Sequence, residues 1–204
     1  MEKWDGFLIH DEFEEYLGSS QYIDLEEPWV IRVGKSLAAG DETEIARRAY
    51  HFVRDQIKHA WDVQDRRVTA KASQVLRQGV GICWAKANLL AALLRVNDIP
   101  AGICYQRLTL GDTPESGYCV HALNAAYLLP VNRWVRMDAR GNKPGVQAEF
   151  DLEKERLAFP VREELGEVDE KVIYAQPLAS TMKILEASTD ALYMYLHDLP
   201  DTIG

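Results

Sequence analysis

Cys83 combines a residue type and a position that suit nucleophilic chemistry. It follows the turn-like segment Gly79-Val80-Gly81-Ile82 and stands at the start of a segment with strong helix propensity. The unpaired N–H groups and the positive dipole end of a helix N-terminus favour a thiolate, which is the attacking form of cysteine. The same N–H groups could hold a developing oxyanion. The alternative is a buried structural cysteine, and Cys83 taken alone does not decide between the two.

His121 and Asp138 supply the types of group that would activate such a thiol. His121 lies in a predicted strand and Asp138 lies near the end of the next strand, so the two can be neighbours across a sheet. A carboxylate in that place fixes the tautomer and orientation of an imidazole base. Each residue alone is more often structural. The ordered set predicts Cys83 as nucleophile, His121 as base and Asp138 as its orienting partner.

Four ordered segments resemble the transglutaminase-like superfamily, which has a papain-like cysteine enzyme fold. They are similar to that family's nucleophile region, helix end, histidine block and Trp-Asp block, in the order Val75 to Trp84, Leu93 to Ala101, His121-Ala122 and Arg133 to Asp138. The helix of residues 47–61 also looks like the one that precedes the family's nucleophile. The resemblance covers about residues 42–142 and implies the same triad.

The resemblance implies a cysteine enzyme that acts on an amide bond of peptide, isopeptide or glutamine type. The thiolate would attack the carbonyl and form a thioester acyl-enzyme. Water resolves the thioester in a hydrolase and an amine does so in a transferase. Small relatives of this type are often peptidases, deamidases or amide hydrolases, so hydrolysis is favoured over transfer. A peptide or small amide substrate is expected, with no cofactor.

Two alternatives remain open beside that interpretation. One is acyl transfer of the arylamine N-acetyltransferase kind, although the Arg-Gly-Gly-x-Cys block of that family is absent. The other is a non-catalytic protein-interaction module on the same fold.

The sequence departs from the family pattern at three places. Leu123 and Ala139 stand where relatives often have an aromatic residue and a proline, and His59 stands where many have tyrosine. The side chain that would assist the oxyanion is not assigned, and Trp61 and Gln64 are weak candidates.

The predicted elements that position these residues are helices followed by a sheet. A capping-box spacing at Asp41 and Glu44 opens a predicted helix over 42–59, and further helices are predicted over 73–78 and 83–96. Strands are predicted over 101–110, 118–129 and 133–139, with short connections that favour antiparallel pairing. The fold class is therefore α+β, with the nucleophile at the N-terminus of a buried helix packed on an antiparallel sheet.

The ends of the chain are predicted to be extensions of that core. Residues 1–40 form an N-terminal extension that is partly helical around 13–17, 41–145 form the catalytic core, and 146–204 form a C-terminal extension. A strand is expected at 171–175. One amphipathic helix is expected over 178–196, because apolar residues recur there every three or four positions.

Composition narrows the class of partner. The chain has 204 residues and a formal net charge of -9, which argues against nucleic-acid and anionic-membrane binding.

Three cysteines make a disulfide framework improbable, and with no leader-like N-terminus a cytoplasmic location is expected. Cys119 and His121 could be half of a metal site, but the paired spacing of metal motifs is missing, so Cys119 and Cys104 are taken as packing residues. Oligomeric state is left open.

Overall fold

The computed structural model describes residues 2–4 and 6–204 of the chain. Within these residues the α-helices are α1 Pro28–Ser36, α2 Glu42–Gln56, α3 Ala72–Gln78, α4 Cys83–Arg95, α5 Ala179–Ala187 and α6 Ala191–His197. The strands are β1 Glu2–Trp4, β2 Phe7–Ile9, β3 Lys58–His59, β4 Val80–Gly81, β5 Ala101–Thr109, β6 Tyr118–Leu128, β7 Arg133–Met137, β8 Val168–Asp169 and β9 Val172–Ile173.

The largest sheet is antiparallel and has the strand order β7-β6-β5-β8. In its register His121 of β6 is opposite Gln106 of β5, and Asn124 is opposite Met137 of β7. A second sheet has the order β1-β2-β9, and β3 pairs with β4 in a parallel two-stranded ladder. The sheet and the preceding helices confirm the predicted α+β class.

Helix α4 is the centre of the molecule. Every residue from Trp84 to Arg95 is buried, and the helix packs against β5 and β6 on one side and α1, α2 and α3 on the other. Its sequence is rich in Ala and Leu, which have high helix propensity, and its buried polar side chains, Lys86, Asn88 and Arg95, donate hydrogen bonds to backbone oxygens. The prediction of a helix buried on most sides is confirmed, and only Cys83 at its first position is partly exposed.

The start of α2 was predicted well and its end less well. The Asp41 carboxylate accepts a hydrogen bond from the backbone N–H of Glu44 at 2.9 Å, which is the N-cap that the sequence predicts. The reciprocal half of the capping box is not made, because Glu44 pairs with Arg47 and Arg48 instead. The helix stops at Gln56 rather than at residue 59.

The reason is the ladder between β3 and β4. Lys58 and His59 leave the helix and pair with Val80 and Gly81. Half of the segment 79–82, which the sequence predicts as a turn, is therefore an extended strand held by backbone hydrogen bonds. Two-residue strands leave no periodicity in a sequence, so only the pairing reveals this one.

The N-terminal segment contains a helix that the sequence analysis missed. Proline and glycine usually interrupt helical periodicity, yet α1 runs through both Pro28 and Gly34. Pro28 occupies the first turn, where its missing N–H costs no hydrogen bond. Gly34 lies where α1 meets the end of α4, and a Cβ there would be only 2.7 Å from Cγ1 of Val96. The predicted helical turn at 13–17 is a 3-10 helix, Phe13–Leu17, while Met1 and Asp5 lie outside the described residues.

The single helix predicted over 178–196 is wrong, because the structure has two helices there. The break comes at residues 188–190, where Asp190 caps α6 by accepting hydrogen bonds from the N–H groups of Leu192 and Tyr193. The strand predicted at 171–175 is shorter, β9, and pairs in parallel with β2. Strand β8, which extends the main sheet, was not predicted.

Candidate functional site

Cys83 is the first residue of α4 and faces a cavity of about 630 Å³. The preceding residue, Ile82, is extended, with φ −83° and ψ 174°, so the chain turns sharply from β4 into the helix. The short ladder between β3 and β4 fixes the approach to that turn. The thiol is half-buried and stands at the positive end of the α4 dipole.

His121 and Asp138 are in direct contact beside that cavity. Nε2 of His121 lies 2.8 Å from Oδ2 of Asp138, and both side chains are buried. Asp138 follows the last residue of β7, and its two oxygens also accept hydrogen bonds from the backbone N–H groups of Arg140 at 3.0 Å and Ala158 at 3.1 Å. The carboxylate is therefore held in one orientation from three directions.

The charges of these groups support one another. Burial lowers the pKa of His121, but the negative charges of Asp138 and Cys83 and the hydrogen bonds to both outweigh it and raise the pKa to about 10. Burial raises the pKa of Asp138, but the His121 charge and the hydrogen bonds it accepts hold that pKa below its usual value. Since Nε2 faces the carboxylate, Nδ1 is the nitrogen that can exchange a proton with the thiol.

Two side chains of α4 join the nucleophile to the rest of the site. Nε1 of Trp84 donates a hydrogen bond of 2.8 Å to the backbone oxygen of Val120, the neighbour of His121 in β6. Nζ of Lys86 is buried and donates to the backbone oxygens of Ile57 at 2.6 Å and Arg140 at 2.8 Å. Burial and the nearby charge of Arg140 lower the pKa of Lys86 to about 7. These bonds connect the start of α4 to the segments that carry the histidine and the aspartate.

A cluster of charged residues borders the cavity on the β3 side. Arg140 donates two hydrogen bonds to the Asp62 carboxylate, at 2.6 and 2.8 Å, and Lys143 donates a third at 2.8 Å. His59 lies next to this cluster and is buried. Burial and the positive charge of Arg140 keep the pKa of His59 well below its usual value, so its imidazole is neutral at physiological pH.

Aromatic rings lie next to this cluster in the cavity lining, and Tyr195 meets the His59 ring edge-on with centroids 6.2 Å apart. Trp61 stacks on Tyr195 with ring centroids 4.5 Å apart and an interplanar angle of 12°, and Phe159 meets the His121 ring edge-on at 5.1 Å. Of the two side chains considered for the oxyanion, Trp61 lines the cavity, whereas Gln64 does not and donates to the backbone oxygen of Trp61.

The other two cysteines have different surroundings. Cys104 is fully buried in an apolar cluster of the sheet, while Cys119 is half-buried and lines the cavity near Cys83. Burial raises the pKa of both thiols to about 12. Among the described residues no cluster of three or more His, Cys, Asp or Glu side chains could hold a metal ion.

Three residues of the site are not predicted from the sequence. Arg140, Phe159 and Tyr195 all line the cavity. Arg140 is two positions after Asp138, a closeness that could have drawn attention to it. Tyr195 belongs to a short amphipathic helix, which by pattern alone indicates packing or docking.

The fold and the site together define a papain-like protein, in which a cysteine begins a buried helix and faces a histidine on an antiparallel sheet. A family model described as the transglutaminase-like superfamily matches residues 32–139, which is more than half of the chain. The chain therefore belongs to the transglutaminase-like superfamily, and the resemblance seen in the sequence is confirmed.

Solved structures with a similar fold share little sequence with this chain. A candidate cysteine protease from Cytophaga hutchinsonii is 17% identical, with 63% of this chain and 42% of that chain covered and a TM-score of 0.49. The periplasmic domain of TgpA from Pseudomonas aeruginosa is 16% identical, with 61% and 45% covered and a TM-score of 0.46. The chain thus spans less than half the length of these two proteins. No curated protein matches it significantly. No helix within the described residues is long and apolar enough to cross a membrane.

Proposed function

We propose that this protein is a transglutaminase-like cysteine enzyme that cleaves an amide or ester bond, with Cys83 as nucleophile, His121 as base and Asp138 as orienting residue. The observation that carries the proposal is the 2.8 Å bond between His121 and Asp138, both buried, beside the cavity that Cys83 faces. A buried imidazole held by a carboxylate near a helix-start thiol is the arrangement that activates a cysteine.

In the proposed resting state the Cys83 proton is on Nδ1 of His121, so that the two side chains form a thiolate–imidazolium ion pair. The thiolate attacks the carbonyl carbon, and backbone N–H groups in the first turn of α4 stabilise the oxyanion. The imidazolium, stabilised by Asp138, then gives its proton to the leaving amine or alcohol, which leaves a thioester on Cys83. Water, deprotonated by His121, attacks the thioester and releases a carboxylic acid and the free thiol.

We favour hydrolysis over transfer to an amine. Transfer requires a site that excludes water around the acyl-enzyme. Cys83 is only half-buried and opens to a cavity large enough for a small peptide or amide together with water. The substrate class proposed here is therefore a peptide or small amide or ester.

The test is the rate of alkylation by iodoacetamide as a function of pH, read for each cysteine by peptide mass spectrometry. In the wild type Cys83 should be alkylated rapidly already near neutral pH, because His121 and Asp138 stabilise the reactive thiolate form as an ion pair. His121→Ala should return Cys83 to the behaviour of an ordinary thiol.

Cys119 is the internal control, since it lines the same cavity but burial raises its pKa. Its profile should not change in His121→Ala. If Cys83 titrates as an ordinary thiol in both proteins, the proposed catalytic role is wrong and a binding module on the same fold becomes the better interpretation.

A further inference from the structure

The C-terminal part of the chain contributes an apolar wall to the cavity that Cys83 and His121 also line. Tyr195 of α6 stacks on Trp61, and Leu196 and Leu199 line the cavity beside it. Leu108 and Leu110 add apolar surface from the end of β5. An acyl group whose carbonyl lies at Cys83 would therefore extend along aromatic and aliphatic side chains.

This wall is attached to the catalytic core at several points. The backbone N–H of Ala191, the first residue of α6, donates to the oxygen of Arg66 at 2.9 Å. The N–H of Val120, next to His121, donates to the oxygen of Pro200 at 3.0 Å. The Arg107 side chain donates to the oxygen of Asp201 at 2.6 Å. The stacked pair is thus held in a defined place before any substrate binds.

The charged side chains at the cavity are already paired with one another. Arg140 and Lys143 both bind the carboxylate of Asp62. Arg162 binds Glu167 at 2.8 Å and approaches Asp112 at 3.5 Å. A charged acyl group that lies against Trp61 and Tyr195 would compete with these pairs for a counter-charge or remain without one, and an unpaired charge is costly where it is buried.

We propose that the acyl group which this enzyme accepts is neutral and apolar, aromatic or aliphatic, and lies against the stacked pair of Trp61 and Tyr195. The inference rests on the proposed function, which it deepens by naming the substrate class. A cavity of about 630 Å³ has the usual size of a pocket for a small organic ligand, and such pockets are mostly apolar with a few convergent polar groups. Tyr195 is then a specificity-determining residue contributed by the C-terminal helix.

The test is the hydrolysis of four p-nitrophenyl esters that differ only in the acyl group: acetate, 3-phenylpropanoate, succinate and β-alaninate. In each case the Cys83 thiolate forms the thioester and releases p-nitrophenolate, and water then releases the acid. The 3-phenylpropanoate ester should exceed each of the other three in kcat/KM by about tenfold or more, the discrimination that an apolar pocket gives to a few carbon atoms.

Variants at Tyr195 distinguish binding of the acyl group by the apolar wall from the reaction at Cys83. Tyr195→Ala should reduce the preference for 3-phenylpropanoate over acetate about tenfold, mainly through KM, because it removes apolar surface that contacts the acyl group. Tyr195→Phe keeps the ring that stacks on Trp61 and should keep the preference. Tyr193→Ala is the matched control, since Tyr193 is on the same helix but 60% exposed and outside the cavity lining, and it should behave as the wild type.

Binding measured by calorimetry in Cys83→Ala distinguishes the failure of this inference from the failure of the proposed function. N-methyl-3-phenylpropanamide should bind, N-methylsuccinamate should bind at least about tenfold more weakly, and Tyr195→Ala should remove the difference. Preference for the charged ligand, or equal binding of both, would overturn the inference even if Cys83 is reactive. If Cys83 is unreactive but the apolar ligand still binds selectively, the inference about the apolar wall is supported and only the proposed catalytic function is overturned.

Discussion

Asp138 contacts two backbone segments in addition to the imidazole of His121. Besides His121 it binds the backbone of Arg140 and Ala158, so one carboxylate fixes the end of β7 and a loop far along the chain. Its negative charge is also the strongest influence that raises the pKa of His121. Charge and position are therefore combined in one side chain.

We expect Asp138→Asn to lower turnover by about 10²–10⁴-fold, the range that a positioned general base contributes. The pKa of His121 should fall because the carboxylate charge is lost, so the pH dependence of Cys83 alkylation should shift towards that of an ordinary thiol. Steady-state ester hydrolysis and alkylation across pH measure both effects. Asp98→Asn, at an exposed position after α4, should change neither. An Asp138→Asn enzyme with the wild-type pH profile would show that the carboxylate does not act through His121.

At the scale of the elements, strand β5 is where both ends of the chain meet the main sheet. Gly102 of β5 has no room for a side chain, because a Cβ would lie 2.5 Å from Cγ2 of Ile173 and 2.9 Å from the backbone oxygen of Tyr174. Ile103 and Tyr174 exchange backbone hydrogen bonds of 2.8 and 2.9 Å. The backbone at Tyr174 therefore cannot move away from Gly102 without breaking them. The C-terminal segment is in this way fitted directly onto the strand next to the one that carries His121.

We expect Gly102→Ala to destabilise the protein by about 1–3 kcal/mol, the usual cost of overpacking a closely packed site. Gly18→Ala is the control, because a Cβ there makes one ordinary contact at 3.5 Å, and it should change stability by less than about 0.5 kcal/mol. Urea unfolding measures both. Equal stabilities of the two variants would mean that the C-terminal segment moves aside without cost.

At the scale of the whole molecule, the segments outside the family match are part of the same core. Ile23 from the N-terminal segment and Met182, Leu185 and Met194 from the C-terminal segment belong to the apolar cluster that surrounds α4. A buried carboxylate also attaches the C-terminal segment to the main sheet. Glu167 accepts hydrogen bonds from Thr109 and Arg162 and so links the segment before β8 to the end of β5.

This arrangement predicts a loss of stability at acid pH. Burial raises the pKa of both Asp62 and Glu167, but the hydrogen bonds from Arg140 and Lys143 to Asp62, and from Arg162 and Thr109 to Glu167, outweigh it and hold each pKa at about 2. A folded-state pKa below the unfolded one gives stability that is fully present above about pH 4.5 and is lost as the pH falls towards 2. Urea unfolding between pH 7 and pH 2.5 should follow this trend.

Glu167→Gln is the matched variant for that measurement. It should be less stable than the wild type at pH 7, and the difference should shrink as the pH falls, because the wild-type carboxylate is then protonated. A difference that stays constant down to pH 2.5 would contradict the role of the Glu167 charge.

Much of the fold could be predicted from the sequence because its signals are local. The N-cap at Asp41, the apolar composition of α4 and the strands predicted over 101–110 and 118–129 depend on neighbours within a few positions. The positions of Cys83, His121 and Asp138 could be proposed for the same reason, with the order of the elements suggesting that they meet. The split between α5 and α6 also had a local signal, Asp190, which the regular apolar spacing concealed.

Tertiary structure alone decided which residues surround the candidate nucleophile. Trp61 and Tyr195 stack, and Ala158 binds Asp138, although these residues are far apart in the chain and carry no periodic signal of the contact. The ladder between β3 and β4 likewise exists only because α4 and α2 place two extended dipeptides side by side. A sequence pattern indicates which face of a helix or strand is buried. Which distant residues cover that face depends on how the elements pack. For this protein the sequence determined the type and order of the groups that could react, and the packed fold determined the shape, charge and walls of the cavity that they face.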